Sequence, residues 1–230
     1  PLPPCNILGD FAGGGMLCAL GILLALVERH RSGKGQVVDA AMVDGACYLS
    51  TLFHGLLAHG LMPFDIGANV LDGGAHFYQT YETRDGKFVA VGALEGRFYE
   101  KLLAGLGLDP EDLPPQNDAR RWPEMTARFA ATFRTRTRDE WMAVFEGSDA
   151  CVAPVLDLQE VARHPHTRER RVLSMGDGFL QPSPAPRLSR TPARIGGPCA
   201  RKGANTRELL EALGYSEQEI ESLCAMNIVS

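Results

Sequence analysis

The sequence has no surplus of positive charge. It holds 23 Lys and Arg against 28 Asp and Glu, a formal net charge of -5 with a pI of about 5.7. That argues against nucleic acid or an anionic membrane surface as the main partner, while leaving room for a local basic pocket around an anionic ligand. It has no CxxC pair and no Cys/His spacing of the metal-binding kind. The six cysteines are scattered, several inside apolar runs where a free thiol behaves as a small hydrophobe, so a reducing compartment fits better than a disulfide framework. There is no Asn-x-Ser/Thr sequon, signal peptide, internal repeat or low-complexity tract, and Asn227-Ile228-Val229-Ser230 is not a Ser-Lys-Leu-type address. The longest apolar run, Met16 to Val27, falls short of the roughly 20 residues that span a bilayer. It reads as a buried core helix, with no membrane span. An initiator Met is also missing: the opening Pro1-Leu2-Pro3-Pro4 suggests a truncated start.

What is present suits a globular α/β protein. The 230 residues are 45% apolar and 22% charged, enough for one large domain or two small ones. Residues 1–9 read as a proline-fixed loop, followed by a helix over about 11–31 that Gly33 and Gly35 would terminate. Gln36-Val37-Val38-Asp39-Ala40 reads as a short strand, completing the second half of a βαβ unit. A second helix is expected over 41–61, then a linker-like stretch over 62–75. Asp85-Gly86 between aromatic and β-branched runs predicts a hairpin, and a strand ending at Leu94-Glu95 leads into a helix over about 97–106. Helices are expected over 123–133 and 138–145, the latter capped by Thr137. Cys151 to Leu156 reads as a strand. Asp157 with Glu160 and Ser216 with Glu219 are capping boxes for helices to about 163 and over 217–224. Five prolines make Gln181 to Pro198 an extended connection, and a helix is expected over about 204–213.

Two carboxylates stand out. Asp10 precedes Phe11-Ala12-Gly13-Gly14-Gly15 at a predicted helix start, where unpaired N–H groups and the positive dipole end face a negative charge. An ordinary N-cap is one reading of it. The other rests on the glycines, each of which costs up to about 1 kcal/mol relative to Ala inside a helix and so calls for a ligand or a backbone in close approach. Glu95 ends a strand ahead of a helix, where functional residues often gather, although a solvated carboxylate at a helix start has the same signature. His76, beside Phe77 and Tyr78, reads as pocket-lining or structural. Lys34 reads as a turn residue within reach of a phosphate, and Arg168, Arg170 and Arg171 as a solvated face. No histidine pairs with a Ser or Cys nucleophile in a catalytic pattern.

The run Gly9-Asp10-Phe11-Ala12-Gly13-Gly14-Gly15-Met16, followed by Arg31-Ser32-Gly33-Lys34-Gly35-Gln36-Val37-Val38-Asp39-Ala40, resembles the class III CoA-transferase (CaiB/BaiF) superfamily. Leu71-Asp72-Gly73-Gly74-Ala75-His76-Phe77-Tyr78, Val91-Gly92-Ala93-Leu94-Glu95 and Asp149 to Leu156 are similar to its α-methylacyl-CoA racemase branch. The resemblance covers nearly the whole chain. It implies that Asp10 is a catalytic acid/base, that Glu95 supports a catalytic histidine, that Tyr78 is an active-site aromatic, and that Gly13 and Gly14 lie at the substrate. It also implies a partial Rossmann-like large domain from residues 1–45 and 185–230, a linker helix over 46–75, a small α+β domain over 76–165 and a second linker over 166–184. The implied activity is epimerisation of a 2-methylacyl-CoA thioester at Cα through an enolate. Coenzyme A is then part of the substrate, no other cofactor or metal is called for, and the full-length partner is a second copy in an interlocked homodimer.

The branch belongs to lipid metabolism, in peroxisome or mitochondrion for an animal enzyme and in cytoplasm for a bacterial one. Gly96, His76 and Asn205-Thr206 depart from residues common in the family. The larger departure is that the family's first part, with most of the CoA site and the catalytic histidine, would precede Pro1. On that expectation the 230 residues alone are inactive. A CoA-transferase with Asp10 as nucleophile, and a non-catalytic fragment acting only by association, are the alternatives.

Overall fold

The computed structural model describes residues 5–63, 65–176 and 178–229. The loop expected over residues 1–9 therefore lies partly outside the described residues, at 1–4. From Ile7 the expectation fails, because Ile7–Met16 is already a π-helical segment that runs on into α1 (Leu17–Ser32). Between Ile7 and Asp10 only Gly9 disfavours helix, and the glycines that follow tolerate the wider π turn. α1 ends as predicted at Gly33, whose φ of 72° suits a residue without Cβ. Arg29, His30 and Arg31 in the last turn complement the negative end of the dipole.

The helix is not the buried core helix expected from its composition. None of the α1 residues is buried, and Leu20, Leu23, Leu24 and Val27 are about half exposed. With the π segment it makes 26 helical residues, long and apolar enough by length and composition to cross a membrane, a test that core helices of soluble proteins also meet. The strand expected over 36–40 is absent. These residues belong to no strand, and Val37 is 94% exposed. A β-branched run becomes a strand only where a neighbour takes its N–H and C=O groups. The single helix expected over 41–61 is two, α2 (Met42–Leu49) and α3 (Thr51–Ala58), broken at Ser50.

The first compact unit ends at Val155, and its core is drawn from residues 75–150. The predicted hairpin forms as β1 (Tyr78–Glu82) and β2 (Phe88–Gly92), with Gly86 at a φ of 71° in the connection. β3 (Val152–Val155) adds to the other side of β2, giving an antiparallel sheet of order β1-β2-β3. Val89 and Val91 alternate inward as the two-residue period requires. They share the core with residues from α4 (Gly96–Leu106), α5 (Trp122–Phe133) and α6 (Arg138–Phe145). The Thr137–Glu140 capping box opens α6, and Asp85 in the hairpin turn accepts the Arg138 N–H at 3.0 Å, tying turn to helix. Both sheets among the described residues are antiparallel.

The second unit runs from Leu156. The Asp157–Glu160 box opens α7 (Leu158–Arg163), and α8 (Pro165–Glu169) follows. Where a plain linker was expected, Leu173–Gly176 and Phe179–Pro182 pair as an antiparallel hairpin, β4 and β5. The sequence Asp177-Gly178 between apolar residues is the same signal that marks the first hairpin. The proline-rich connection holds from Ser183 onward, leading to α9 (Thr206–Ala212) and to α10 (Glu217–Ala225), which the Ser216–Glu219 box caps.

His76 belongs to the core and not to a pocket wall. It is 1% exposed, its Nε2 lies 2.8 Å from the Tyr99 hydroxyl, and the Phe77, Tyr99 and Phe129 rings meet it edge-on. Burial disfavours its charged form and pushes its pKa down to about 4. The unfolded chain then binds the extra proton between pH 6.5 and 4, so this contribution to stability is complete above 6.5 and is lost as pH falls towards 4. A loss of up to about 3 kcal/mol over that window is expected in denaturant melts. The corresponding slope should vanish in His76→Gln; an unchanged slope in that variant would refute the assignment.

Candidate functional site

Asp10 is exposed and lies in the first turn of the π segment. It is not the N-cap. That position falls to Asn6, whose side chain makes no capping bond. The Phe11 N–H reaches the Asn6 carbonyl at 3.2 Å, the five-residue spacing of a π turn. A first-turn position still sets the carboxylate among N–H groups that have no intrahelical partner, at the positive end of the dipole.

Gly13 and Gly14, expected beside a substrate, are buried against α2. A Cβ on Gly13 would stand 3.1 Å from the Ala46 nitrogen, and one on Gly14 would stand 3.0 Å from Met42 Cγ. A Cβ on Gly45 would overlap the Gly13 carbonyl. The π segment and α2 meet backbone to backbone at Gly13 and Gly45, a close approach of the kind that calls for glycine, while Gly15 is exposed. Asp10 is therefore carried on a segment whose placement depends on glycines in both partners.

Glu95 and Tyr78 sit on other elements. Glu95 is the exposed N-cap residue of α4, with extended backbone at φ −79° and ψ 141°. Its carbonyl accepts the Phe98 and Tyr99 N–H groups, while its side chain makes no capping bond. Tyr78 pairs with Gly92 across β1 and β2 and is 37% exposed, its ring lying over the glycine. The Gly92 N–H donates to the Cys151 carbonyl at 2.9 Å, bringing Cys151 to the same end of the sheet. Burial, and then the negative charges of Glu95 and Asp149, push the Cys151 thiol up. Asp10 and Glu95 are on separate elements, with no hydrogen bond or ion pair between them among the described residues.

The Leu71 to Tyr78 motif divides into structural and exposed parts. Asp72 accepts hydrogen bonds from the Gly67 and Asn69 N–H groups and from the Asn69 amide. Burial opposes its charge, but these bonds prevail and hold its carboxyl below the ordinary range. A Cβ on Gly74 would stand 2.7 Å from the Asn69 carbonyl, so the loop closes only on glycine. Of the motif's final aromatic pair, Phe77 is buried and Tyr78 is open. Cys151 and Gln116, which donates to the carbonyls of Ala93 and Leu94, were not singled out from the sequence as site residues. Cys151 lay in a run that carried the resemblance, whereas a side-chain bond to distant backbone leaves no periodic trace.

The arrangement defines an α/β protein of the CaiB/BaiF fold. A CaiB/BaiF family protein from Brucella suis superposes with a TM-score of 0.69 over 88% of this chain and 55% of that one, at 21% identity. The description CoA-transferase family III matches residues 1–206, and the chain belongs to that family. It is 49% identical to a mouse α-methylacyl-CoA racemase and 47% identical to the human one, in each case over 100% of this chain. Those matches cover 61% and 60% of the two racemases, so the chain spans about six-tenths of their length.

The backbone contact beneath Asp10 makes opposite predictions for two glycines. Gly45→Ala gains about 1 kcal/mol of helix propensity, but the clash with Gly13 costs about 1–3 kcal/mol and should win, lowering the melting temperature. Gly55→Ala on α3 meets nothing within 4 Å and should raise it. Equal shifts in calorimetry would refute the close contact.

Proposed function

We propose that these residues form part of an enzyme that epimerises 2-methylacyl-CoA thioesters at Cα. The observation that carries this reading is near-half identity to two α-methylacyl-CoA racemases along the entire chain, with an exposed acid at the head of the glycine-buttressed helix. The Cα–H of a thioester is weakly acidic, so removing it needs a positioned base and stabilisation of the enolate oxygen. Asp10 serves one face of the enolate, taking the Cα proton from one epimer and, in the reverse direction, delivering a proton to that same face to regenerate it. The N–H groups of its own first turn are the nearest donors for the enolate oxygen.

Inversion requires a second acid/base group on the opposite face. Within the chain His76 is buried in the core and engaged by Tyr99, which removes it from that role. The second group, a histidine, comes from sequence beyond these residues, and Glu95 orients it. Tyr78 walls the site, coenzyme A is carried as part of the substrate, and no other cofactor or metal takes part. The full-length protein works as a homodimer, which would also cover the apolar side of α1.

Deuterium wash-in at Cα of a 2-methylacyl-CoA, with no acyl acceptor present, tests the reading. The full-length protein should exchange. Asp10→Asn should lower the rate by about 100-fold or more, and the 230-residue chain alone should show almost none. No exchange by the full-length protein, together with a hydroxylamine-trapped adduct on Asp10, would assign a CoA-transferase in its place. Robust exchange by the isolated chain would refute the need for a second group elsewhere.

A further inference from the structure

The turn that delivers Glu95 is held by a residue far from it in sequence. Between β2 and α4 the chain leaves the sheet, and its backbone groups lose their ladder partners. Ala93 N–H donates to the Phe77 carbonyl and Leu94 N–H to the Gly92 carbonyl, each at 3.0 Å. The Ala93 and Leu94 carbonyls point the other way. Both are taken by one side chain, the Gln116 amide, whose Nε2 donates to each at 3.0 Å. A primary amide carries two N–H donors on that nitrogen, so one glutamine satisfies both acceptors.

Gln116 is itself anchored. Its backbone carbonyl accepts the Trp122 indole N–H at 2.9 Å, and Trp122 is buried with its ring edge-on to Phe77 at 5.8 Å. The clamp thus runs from the aromatic core through Trp122 and Gln116 to the two carbonyls immediately before Glu95. On the other side the Glu95 carbonyl is fixed by the first turn of α4. Glu95 makes no capping bond of its own, so its position is set by its backbone.

We infer that Gln116 is a positioning residue for Glu95, holding the strand-to-helix turn so that the carboxylate meets the reacting site at a fixed place. The inference rests on the proposed role of Glu95. A glutamine whose donors were needed only for stability would contribute to folding alone; here both donors converge on the peptide units that aim one exposed carboxylate. Misplacing a supporting group by about 1 Å can cost on the order of 100-fold in rate, while substrate binding elsewhere is untouched.

The test is a double-mutant cycle in the full-length protein, read by deuterium wash-in. Gln116→Met keeps the length of the side chain and removes only the donors. It should lower kcat by about tenfold, leave KM within about twofold, and add nothing to the loss already caused by Glu95→Gln. Gln116→Lys, which retains a donor, guards against a folding defect and should recover a large part of the loss. Multiplicative losses in the double variant, or a wild-type kcat in Gln116→Met, would overturn the inference while leaving the role of Glu95 intact. A wild-type rate in Glu95→Gln would overturn the role of Glu95, and this inference with it.

Discussion

The burial of Phe77 is the constraint on which the first unit turns. Its ring meets Tyr99 of α4, Trp122 at the head of α5 and the neighbouring His76, and its carbonyl receives the Ala93 N–H where β2 ends. One residue at the mouth of β1 therefore touches each element that shapes the turn before Glu95. Aromatic rings bury large areas and favour edge-on geometry, so such a cluster has few alternative packings. The rigidity needed at the sheet end is a by-product of the core and requires no strain of its own.

The two carboxylates are held by different physics. Glu95 depends on side-chain packing relayed through Trp122 and Gln116 to backbone carbonyls. Asp10 depends on two backbones pressed together at Gly13 and Gly45, with no side chain between them. The first arrangement tolerates substitution wherever volume and donors are kept. The second tolerates almost none, since any Cβ enters the contact. A glycine run that looks extravagant as helix chemistry is economical as an interface.

Much of this was legible beforehand, for reasons that differ by element. The Thr137 cap and the capping boxes at Asp157 and Ser216 were readable because both partners lie within four residues, and the Asp85-Gly86 turn because a positive φ selects glycine. The strand over 36–40 was not, because a strand is a statement about a neighbour as well as about its own residues. The second hairpin carried the same Asp-Gly signal as the first and was obscured by the prolines beyond it. Asp10 and Glu95 stand out by their positions, and the glycines by the close approach they require, which α2 supplies at Gly13 and Gly14. Gln116 was invisible, since its partners lie more than 20 residues away and obey no period.

Exposure sets the final bound on what these residues do by themselves. Asp10 and Glu95 both face open solvent, where a carboxylate is well hydrated and its interactions are weakened by the high dielectric. Enolate formation from a thioester draws its advantage from fixed dipoles in a site from which water is excluded. A roof over Asp10 would strengthen every electrostatic interaction beneath it without moving an atom of the helix. The α1 residues Leu20, Leu23, Leu24 and Val27, apolar and half exposed, leave a large unburied surface on the same helical stretch. Covering that surface and drying the carboxylate can be one event, which would link the fold's stability to the proposed chemistry.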